Sequence, residues 1–166
     1  MHRLFSFCLS LFIFFAGASA HALDAPQSSP ILTVSGDIVV TNSGDRAEFD
    51  RALLQTLDWV EIVTHTPFTE GPQTFAGPTL ASLLKALGVE DGTLLATALN
   101  DYTIDIPVAD AWAHDVLLAV DHDGRPMRTR NRGPIWIVYP AATPDDFEDV
   151  HGARMIWQLN RIRVQR

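Results

Sequence analysis

The chain has 166 residues, and its 20 acidic and 12 basic side chains give a formal net charge of −8. This balance argues against a general binder of nucleic acid or of anionic membranes, because contact with phosphates requires a cationic face. The single cysteine is Cys8, so the chain beyond the first 20 residues can form neither a disulfide nor a thiolate–metal bond.

The first 20 residues have the pattern of a secretory signal peptide. A weakly basic start, His2 and Arg3, precedes an apolar run interrupted by serines, and small residues follow at 18–20. We expect cleavage after Ala20 or Ala22 and a mature protein in the periplasm. An uncleaved anchor is the alternative, but the run is short for a span of about 20 residues.

Residues 21–30 contain prolines, serines and glutamine without periodicity, which predicts a flexible leader. Residues 31–166 are enough for one domain and too few for two. No second long apolar run follows, so we expect no membrane insertion after cleavage.

Short β-rich runs recur along this domain between turn-forming residues. In chain order they predict strands at residues 31–34, 38–41, 59–64, 93–99, 102–108, 116–121, 135–139 and 156–164. Ser35-Gly36-Asp37 and Asp123-Gly124 are predicted hairpin turns, and Asn100-Asp101 is a predicted corner between strands.

Two main helices are expected between the strands. Residues 45–57 place apolar side chains on one helical face, and a loop rich in Thr, Pro and Gly is expected at 65–77. Pro78 then opens a helix with leucines at i, i+3, i+4 and i+7, which Gly88 closes. Shorter turns are expected at 109–114 and 145–149. The predicted fold class is α+β, a single β-rich domain.

Five segments together carry a resemblance to a known family. They are FAGPTLASLL (75–84), NDYTIDIP (100–107), LLAVDHDG (117–124), GPIWIVYP (133–140) and WQLNRIRV (157–164). Their order and spacing resemble the molybdopterin-binding domain of the sulfite oxidase family over about residues 31–165. The resemblance implies that family's fold and a pterin-type ligand.

The sequence departs from this family where its enzymes bind metal. Those enzymes hold molybdenum through a cysteine in the loop before the Gly-Pro helix, whereas residues 63–71 here contain none. Trp136 stands where the family usually carries an arginine. Histidine or threonine is a poor substitute for the soft thiolate, so we expect no molybdenum and do not carry the family's redox activity over to this chain; whether any residual redox activity exists stays open. No metal-binding motif such as HExxH is present.

Small periplasmic proteins of the same fold are more similar. The resemblance rests on the TPFT loop (66–69), the arginine-rich approach to Gly133-Pro134 and the terminal Trp-Gln-Leu, with Phe68 where tryptophan is commoner. Some members bind reduced pterins and signal to a membrane-bound cyclic-di-GMP enzyme. The implied partners are therefore a small-molecule pterin and the periplasmic domain of an inner-membrane signalling protein.

A flat pterin ring requires aromatic faces and amide or carboxylate groups at its edge. The candidate ligand-binding residues are His65, Thr66, Phe68, Thr69, Asn100, Asp101, Tyr102, Arg130, Arg132 and Trp136. Eight of the ten have an alternative structural role: Phe68 and Trp136 in the core, Asn100 to Tyr102 as a simple turn, the two arginines on a solvated hairpin, and His65 as a hydrogen-bonded side chain. Arg154 is expected to pair with the acidic run 145–149 rather than with a ligand.

The sequence thus favours a non-catalytic periplasmic pterin-binding protein that relays ligand occupancy to a membrane-bound partner. The alternative is a minimal molybdopterin-dependent oxidoreductase, or a redox accessory to one. A fold kept only for protein contacts, with a collapsed pocket, also stays open. The residues do not identify the pterin side chain, the partner, the direction of signalling or the oligomeric state.

Overall fold

The computed structural model of the chain describes residues 23–146 and 149–166. The strands within these ranges are β1 (Leu32–Gly36), β2 (Ala47–Phe49), β3 (Trp59–Thr64), β4 (Gln73–Pro78), β5 (Thr93–Ala98), β6 (Thr103–Pro107), β7 (Leu117–Ala119), β8 (Asp121–His122), β9 (Arg125–Pro126), β10 (Trp136–Val138) and β11 (Leu159–Gln165). The helices are α1 (Arg51–Leu54), α2 (Leu80–Leu87), α3 (Val108–Ala113) and α4 (Asp149–Arg154). The α+β fold class is confirmed, with more and shorter strands than the sequence predicts.

The predicted signal peptide lies outside the described residues, as do the first two residues of the predicted leader. The described part of that leader runs along the domain. Leu23 packs against the core, and the backbone N–H groups of Gln27 and Ser28 donate to the Asp50 carboxylate at 2.8 and 2.9 Å. No helix in the described ranges is long and apolar enough to cross a membrane.

The larger sheet joins the two ends of the domain. Its five strands run in the order β2-β1-β11-β5-β6. β1 and β11 are parallel, and the other neighbours are antiparallel. Along β5, Leu94, Ala96 and Ala98 are buried while their neighbours are half-buried, so one face of the sheet covers the core.

The second layer consists of two smaller sheets, an antiparallel β3-β4-β8-β9 sheet and a β10-β7 pair. β4 and β7 pack closely, because the backbone of Gly77 approaches the Leu118 carbonyl with no room for a side chain. One continuous apolar cluster contains side chains from all three sheets and from α2. The molecule therefore has a single core.

Helix α2 follows the sequence prediction except at its start, because Pro78 ends β4 and the helix begins at Leu80. Thr79 caps its N-terminus by accepting a hydrogen bond from the Ser82 N–H at 3.1 Å, and Gly88 ends it in the left-handed conformation. The four leucines at helical spacing are all fully buried. The predicted strand at Trp59–Thr64 and the turn at Asp123-Gly124 are also confirmed, the turn by positive φ at both residues.

The prediction of a helix at residues 45–57 is wrong in its first half. Ala47 and Phe49 alternate inward as strand β2 beside β1, and the helix spans only Arg51–Leu54. Asp50 causes the switch, because its side chain accepts a hydrogen bond from the Leu53 N–H and begins a new helix there. The predicted strand at 38–41 is also wrong: Val39 N–H donates instead to the carbonyl of Leu87 at 2.8 Å.

Two further boundaries differ from the sequence prediction. The expected loop at 65–77 ends earlier, because residues 73–78 form β4 between β3 and β8. The expected strand at 116–121 divides into β7 and β8, which belong to different sheets. The acidic stretch forms a 3-10 turn at Pro144–Asp146, and α4 begins only at Asp149, after residues 147–148, which are not described.

Asp50 also provides a prediction about acid stability. The Leu53 N–H lowers the pKa of this buried carboxylate below the ordinary 3.8; burial acts in the opposite direction, and Ser28 and Gln27 lower the pKa further. Because the folded-state pKa is lowered, the ionised carboxylate stabilises the native state at pH values above the unfolded-state pKa. This stabilisation is lost as the pH falls from the unfolded-state pKa through the folded-state pKa. We expect Asp50→Asn to be less stable at neutral pH but to lose less additional stability than wild type on acidification below about pH 4.

Urea unfolding at a series of pH values measures this difference directly. The exposed Asp45 provides the matched control, because Asp45→Asn should keep the wild-type slope of stability against pH. If Asp50→Asn and wild type lose stability in parallel through the acid range, the role assigned to the Asp50 carboxylate is wrong.

Candidate functional site

A cavity of about 390 Å³ opens between the loop after β3, the β5–β6 corner and the segment that follows α4. Its lining residues are Phe68, Ala98, Asn100, Tyr102, Gly152, Ala153, Met155, Ile156, Trp157 and Gln158. The volume falls within the range of small-molecule sites, and aromatic side chains combined with a few amides are the composition such sites use. This cavity is the candidate functional site.

Aromatic side chains form one wall of the cavity. Phe68 lies edge-on to Trp157, with ring centroids 5.2 Å apart, and 6.3 Å from the ring of Trp136. Phe68 is 36% exposed and Trp157 is 39% exposed, so both rings keep free surface for a flat ligand. Trp136 is fully buried behind them, which confirms its alternative role as a core residue. Its indole N–H is buried without an acceptor in the described residues.

The loop that carries Phe68 is held by its two threonines. Thr66 is buried, its hydroxyl accepts from the Phe68 N–H at 3.2 Å, and it shares a hydrogen bond with the Thr69 hydroxyl at 2.8 Å. Thr66 and Thr69 therefore position Phe68 and are not among the cavity-lining residues. His65 is half-buried, and its backbone N–H donates to the Ala141 carbonyl at 3.2 Å.

Arg132 fixes the aromatic wall from the other side. Its Nη2 donates to the Phe68 carbonyl at 2.9 Å, and its guanidinium lies 4.8 Å from the ring centroid of Trp136 and 5.6 Å from that of Trp157. At these distances the positive guanidinium is attracted to the electron-rich faces of the two rings, which stabilises the position of both tryptophans. Arg130 does not line the cavity; it lies in an adjacent cleft with Arg125 and Arg128.

The predicted corner between β5 and β6 supplies two of its three residues to the cavity. Asn100 and Tyr102 line it, and the Asn100 side-chain oxygen accepts from the Tyr102 N–H at 3.2 Å. The Asn100 amide nitrogen and the 58% exposed Tyr102 ring are thus available to a ligand. Asp101, with φ of 65°, is not a lining residue and forms an exposed ion pair with Arg161.

The C-terminal wall of the cavity is not among the candidate residues that the sequence predicts. Trp157 and Gln158 belong to the terminal Trp-Gln-Leu that carries the family resemblance. Gln158 has positive φ and donates twice to the arginine-rich loop, from its backbone N–H to the Arg132 carbonyl at 2.9 Å and from Nε2 to the Thr129 carbonyl at 2.8 Å. The only sequence signal for this wall is the tryptophan within the last predicted strand.

Helix α4, which contributes Gly152 and Ala153 to the cavity, is anchored by a buried ion pair. Arg154 Nη1 donates to Asp110 Oδ2 at 2.7 Å, and the Tyr139 hydroxyl donates to the same oxygen at 2.7 Å. Burial and the neighbouring Asp110 raise the pKa of Tyr139 far above its usual value, so it stays a donor. The sequence predicts a pairing of Arg154 with the acidic run 145–149. Arg154 pairs with Asp110 on α3 instead, and Asp145 and Asp146, the two acidic residues of that run whose side chains are described, form no ion pair with it.

Comparison with known proteins agrees with this fold. The family model described as "Oxidoreductase molybdopterin binding domain" matches residues 37–166. The crystal structure of the sulfane dehydrogenase SoxCD from Paracoccus pantotrophus superposes with a TM-score of 0.60 at 17% identity, covering 80% of this chain and 37% of that one. At that identity the likeness shows the fold alone, and no curated protein matches the chain. The chain belongs to the oxidoreductase molybdopterin-binding domain family.

Proposed function

We propose that this protein is a non-catalytic pterin-binding module of the periplasm. The observation that carries the proposal is the aromatic cavity, in which Phe68 and Trp157 keep exposed ring surface beside the amide nitrogen of Asn100. A bicyclic pterin offers a flat face for stacking and an edge of alternating donors and acceptors. The family to which the chain belongs is named for a ligand of this class.

The side chains that could ligate a metal support the proposal that the pterin is bound without molybdenum. A thiolate-held molybdenum requires a cysteine at the pocket, and the one cysteine of the sequence is Cys8. The described residues also contain no group of three or more His, Cys, Asp or Glu side chains placed to hold a metal. The residues present therefore fit the organic ring and do not fit a thiolate-ligated metal, so we derive no redox step.

We further propose that ligand occupancy is relayed to the periplasmic domain of an inner-membrane signalling protein of the cyclic-di-GMP type. Four large apolar side chains, Phe68, Leu99, Tyr102 and Trp157, are exposed at or beside the mouth of the cavity. A ligand that covered the rings of Phe68 and Trp157 would change this surface, and a partner that preferred one form would shift the equilibrium between them.

The alternative function is a minimal molybdopterin-dependent oxidoreductase or redox accessory. It draws support from the family's name. Stoichiometric molybdenum in protein purified from its own periplasm would favour it.

Titration of the purified protein with tetrahydrobiopterin, a reduced pterin, tests the proposal. We expect saturable binding, and we expect Phe68→Ala to weaken it roughly tenfold to hundredfold, because stacking of a flat ring on an aromatic side chain contributes about 1–3 kcal/mol. Phe68→Trp keeps an aromatic ring for stacking at this position, so this variant should retain the affinity for tetrahydrobiopterin. The exposed Trp112 on α3 is the matched control, and Trp112→Ala should leave the affinity unchanged within about twofold. Equal losses in Phe68→Ala and Trp112→Ala would contradict the site.

A further inference from the structure

An arginine-lined cleft lies beside the aromatic cavity and is separate from it. Its volume is about 370 Å³, and it is lined by Arg125, Pro126, Arg128, Arg130 and Asn131. No carboxylate is among these lining residues, and none of the three arginines forms an ion pair with a carboxylate in the part of the chain that the structure describes. The cleft is therefore a positive region on a chain with formal net charge −8, although Asp123 lines an overlapping cleft that shares Arg125 and Asn131.

The backbone beneath the cleft is held in place by hydrogen bonds. Asn131 N–H and Gly133 N–H both donate to the Arg128 carbonyl, at 2.7 and 2.9 Å. Met127 is buried and its N–H donates to the Val120 carbonyl at 2.9 Å, while Gln158 donates to the Thr129 carbonyl at 2.8 Å. The arginine backbones are thus preorganised, which lowers the entropy cost of gathering them around a ligand.

Three guanidinium groups without a carboxylate partner repel one another, and a bound anion relieves that repulsion. Each guanidinium presents a rigid fork of donors that matches the oxygens of a phosphate, and it stays charged at every physiological pH. Asn131 adds an uncharged amide at the same place. The cleft is too small for a nucleic-acid duplex, and the strong negative charge of the chain opposes binding to any extended polyanion.

We propose that this cleft is an anion-binding site that recognises a phosphate group, independent of the pterin site. The phosphate group could belong to a soluble phosphate ester or to the headgroup of an acidic phospholipid. The mode of recognition is bidentate hydrogen bonding from Arg125, Arg128 and Arg130. The proposal holds whether or not the aromatic cavity binds a pterin, because the two lining sets share no residue.

The test is a titration of the full domain at low salt with inorganic phosphate and with pyrophosphate, followed by NMR of backbone amides and arginine side chains. We expect saturable shifts concentrated at residues 125–131 and tighter binding of pyrophosphate. Arg125→Gln and Arg128→Gln should each weaken binding about tenfold. Arg125→Lys keeps the charge but loses the fork, so it should weaken binding by several-fold.

Arg163→Gln, which removes an exposed arginine from β11, is the matched control and should change the affinity less than about twofold. A flotation assay with vesicles containing phosphatidylglycerol distinguishes a lipid headgroup from a soluble phosphate as the ligand. If the protein binds the vesicles through these arginines but does not bind soluble phosphates, the ligand is a lipid headgroup. Circular dichroism verifies that each variant is folded. Failure to bind either source, or equal losses in Arg163→Gln and Arg128→Gln, would overturn the proposal.

Discussion

Gly77→Ala is expected to destabilise the domain by roughly 3 kcal/mol or more, a loss that few single substitutions produce. A Cβ atom at Gly77 would lie 2.0 Å from the Leu118 carbonyl oxygen and 2.9 Å from its carbon, and both are backbone atoms of β7. Rotation of a side chain cannot relieve this clash, so β4 and β7 would have to separate. Because both strands belong to the single core, we expect the melting temperature to fall by about 10 °C or more.

Gly152→Ala is the matched control. It is also a glycine-to-alanine substitution, but we expect it to increase the free energy of unfolding. The Cβ atom there would lie 3.5 Å from Pro67 Cγ, an ordinary contact, and Gly152 is in helix α4. Alanine stabilises a helix by roughly 0.5–1 kcal/mol relative to glycine. Calorimetry on the two variants measures both effects, and a Gly77→Ala protein with wild-type stability would show that β4 and β7 are not packed as described.

Asp110→Ala is expected to cost roughly 2–4 kcal/mol and to loosen the cavity wall. Removal of one partner from a buried ion pair leaves the other charge without compensation, and the Tyr139 hydroxyl would lose its acceptor as well. The Asp110 side chain is 9% exposed and that of Arg154 is 23% exposed, so partial solvation of the arginine keeps the cost below the full range for buried pairs. Hydrogen exchange in α4 should accelerate, because Arg154 anchors that helix.

The matched control is Asp91→Ala, which breaks the ion pair of Asp91 with Arg166. The Asp91 side chain is 80% exposed, and exposed pairs contribute about 0–1 kcal/mol. Urea unfolding of the two variants, with exchange rates for residues 149–154, measures the difference. If the two substitutions cost the same, the Asp110 network does not hold α4 and the cavity wall depends on other contacts.

Elements with strong local signals were predictable from the sequence. Helix α2 combines a capping threonine, four leucines at helical spacing and a terminal glycine, and all of these act within about ten residues. The hairpin at Asp123-Gly124 is similarly local. The fold class came from the resemblance of five ordered segments, and the family match over residues 37–166 confirms it.

Secondary structure that depends on pairing with strands far away in the sequence could not be predicted. Phe49 fits a helical face with Leu53 and Leu57 as well as it fits a strand, and the pairing of β2 with β1, together with the capping bond of Asp50, selects the strand. The division of residues 116–121 between β7 and β8 depends on which sheet each segment meets. A helical or alternating pattern in one stretch of sequence contains no information about such pairings.

The candidate site was predicted in part. The structure gathers Phe68, Asn100 and Tyr102 in one cavity, with Arg132 and Trp136 directly behind its aromatic wall. Asp101 and Arg130 lie elsewhere, because the positive φ of Asp101 and the 3-10 turn containing Arg130 direct their side chains away. These orientations depend on single backbone angles that residue type does not specify.

The most direct test of the pterin-binding proposal is the ligand content of protein isolated from the cells that naturally produce it. The protein would be denatured, the supernatant assayed by fluorescence for oxidised pterin, and the sample assayed for molybdenum. We expect pterin without molybdenum, released from wild type and depleted in Phe68→Ala. Pterin together with stoichiometric molybdenum, or an empty protein that also fails to bind tetrahydrobiopterin, would contradict the proposed function.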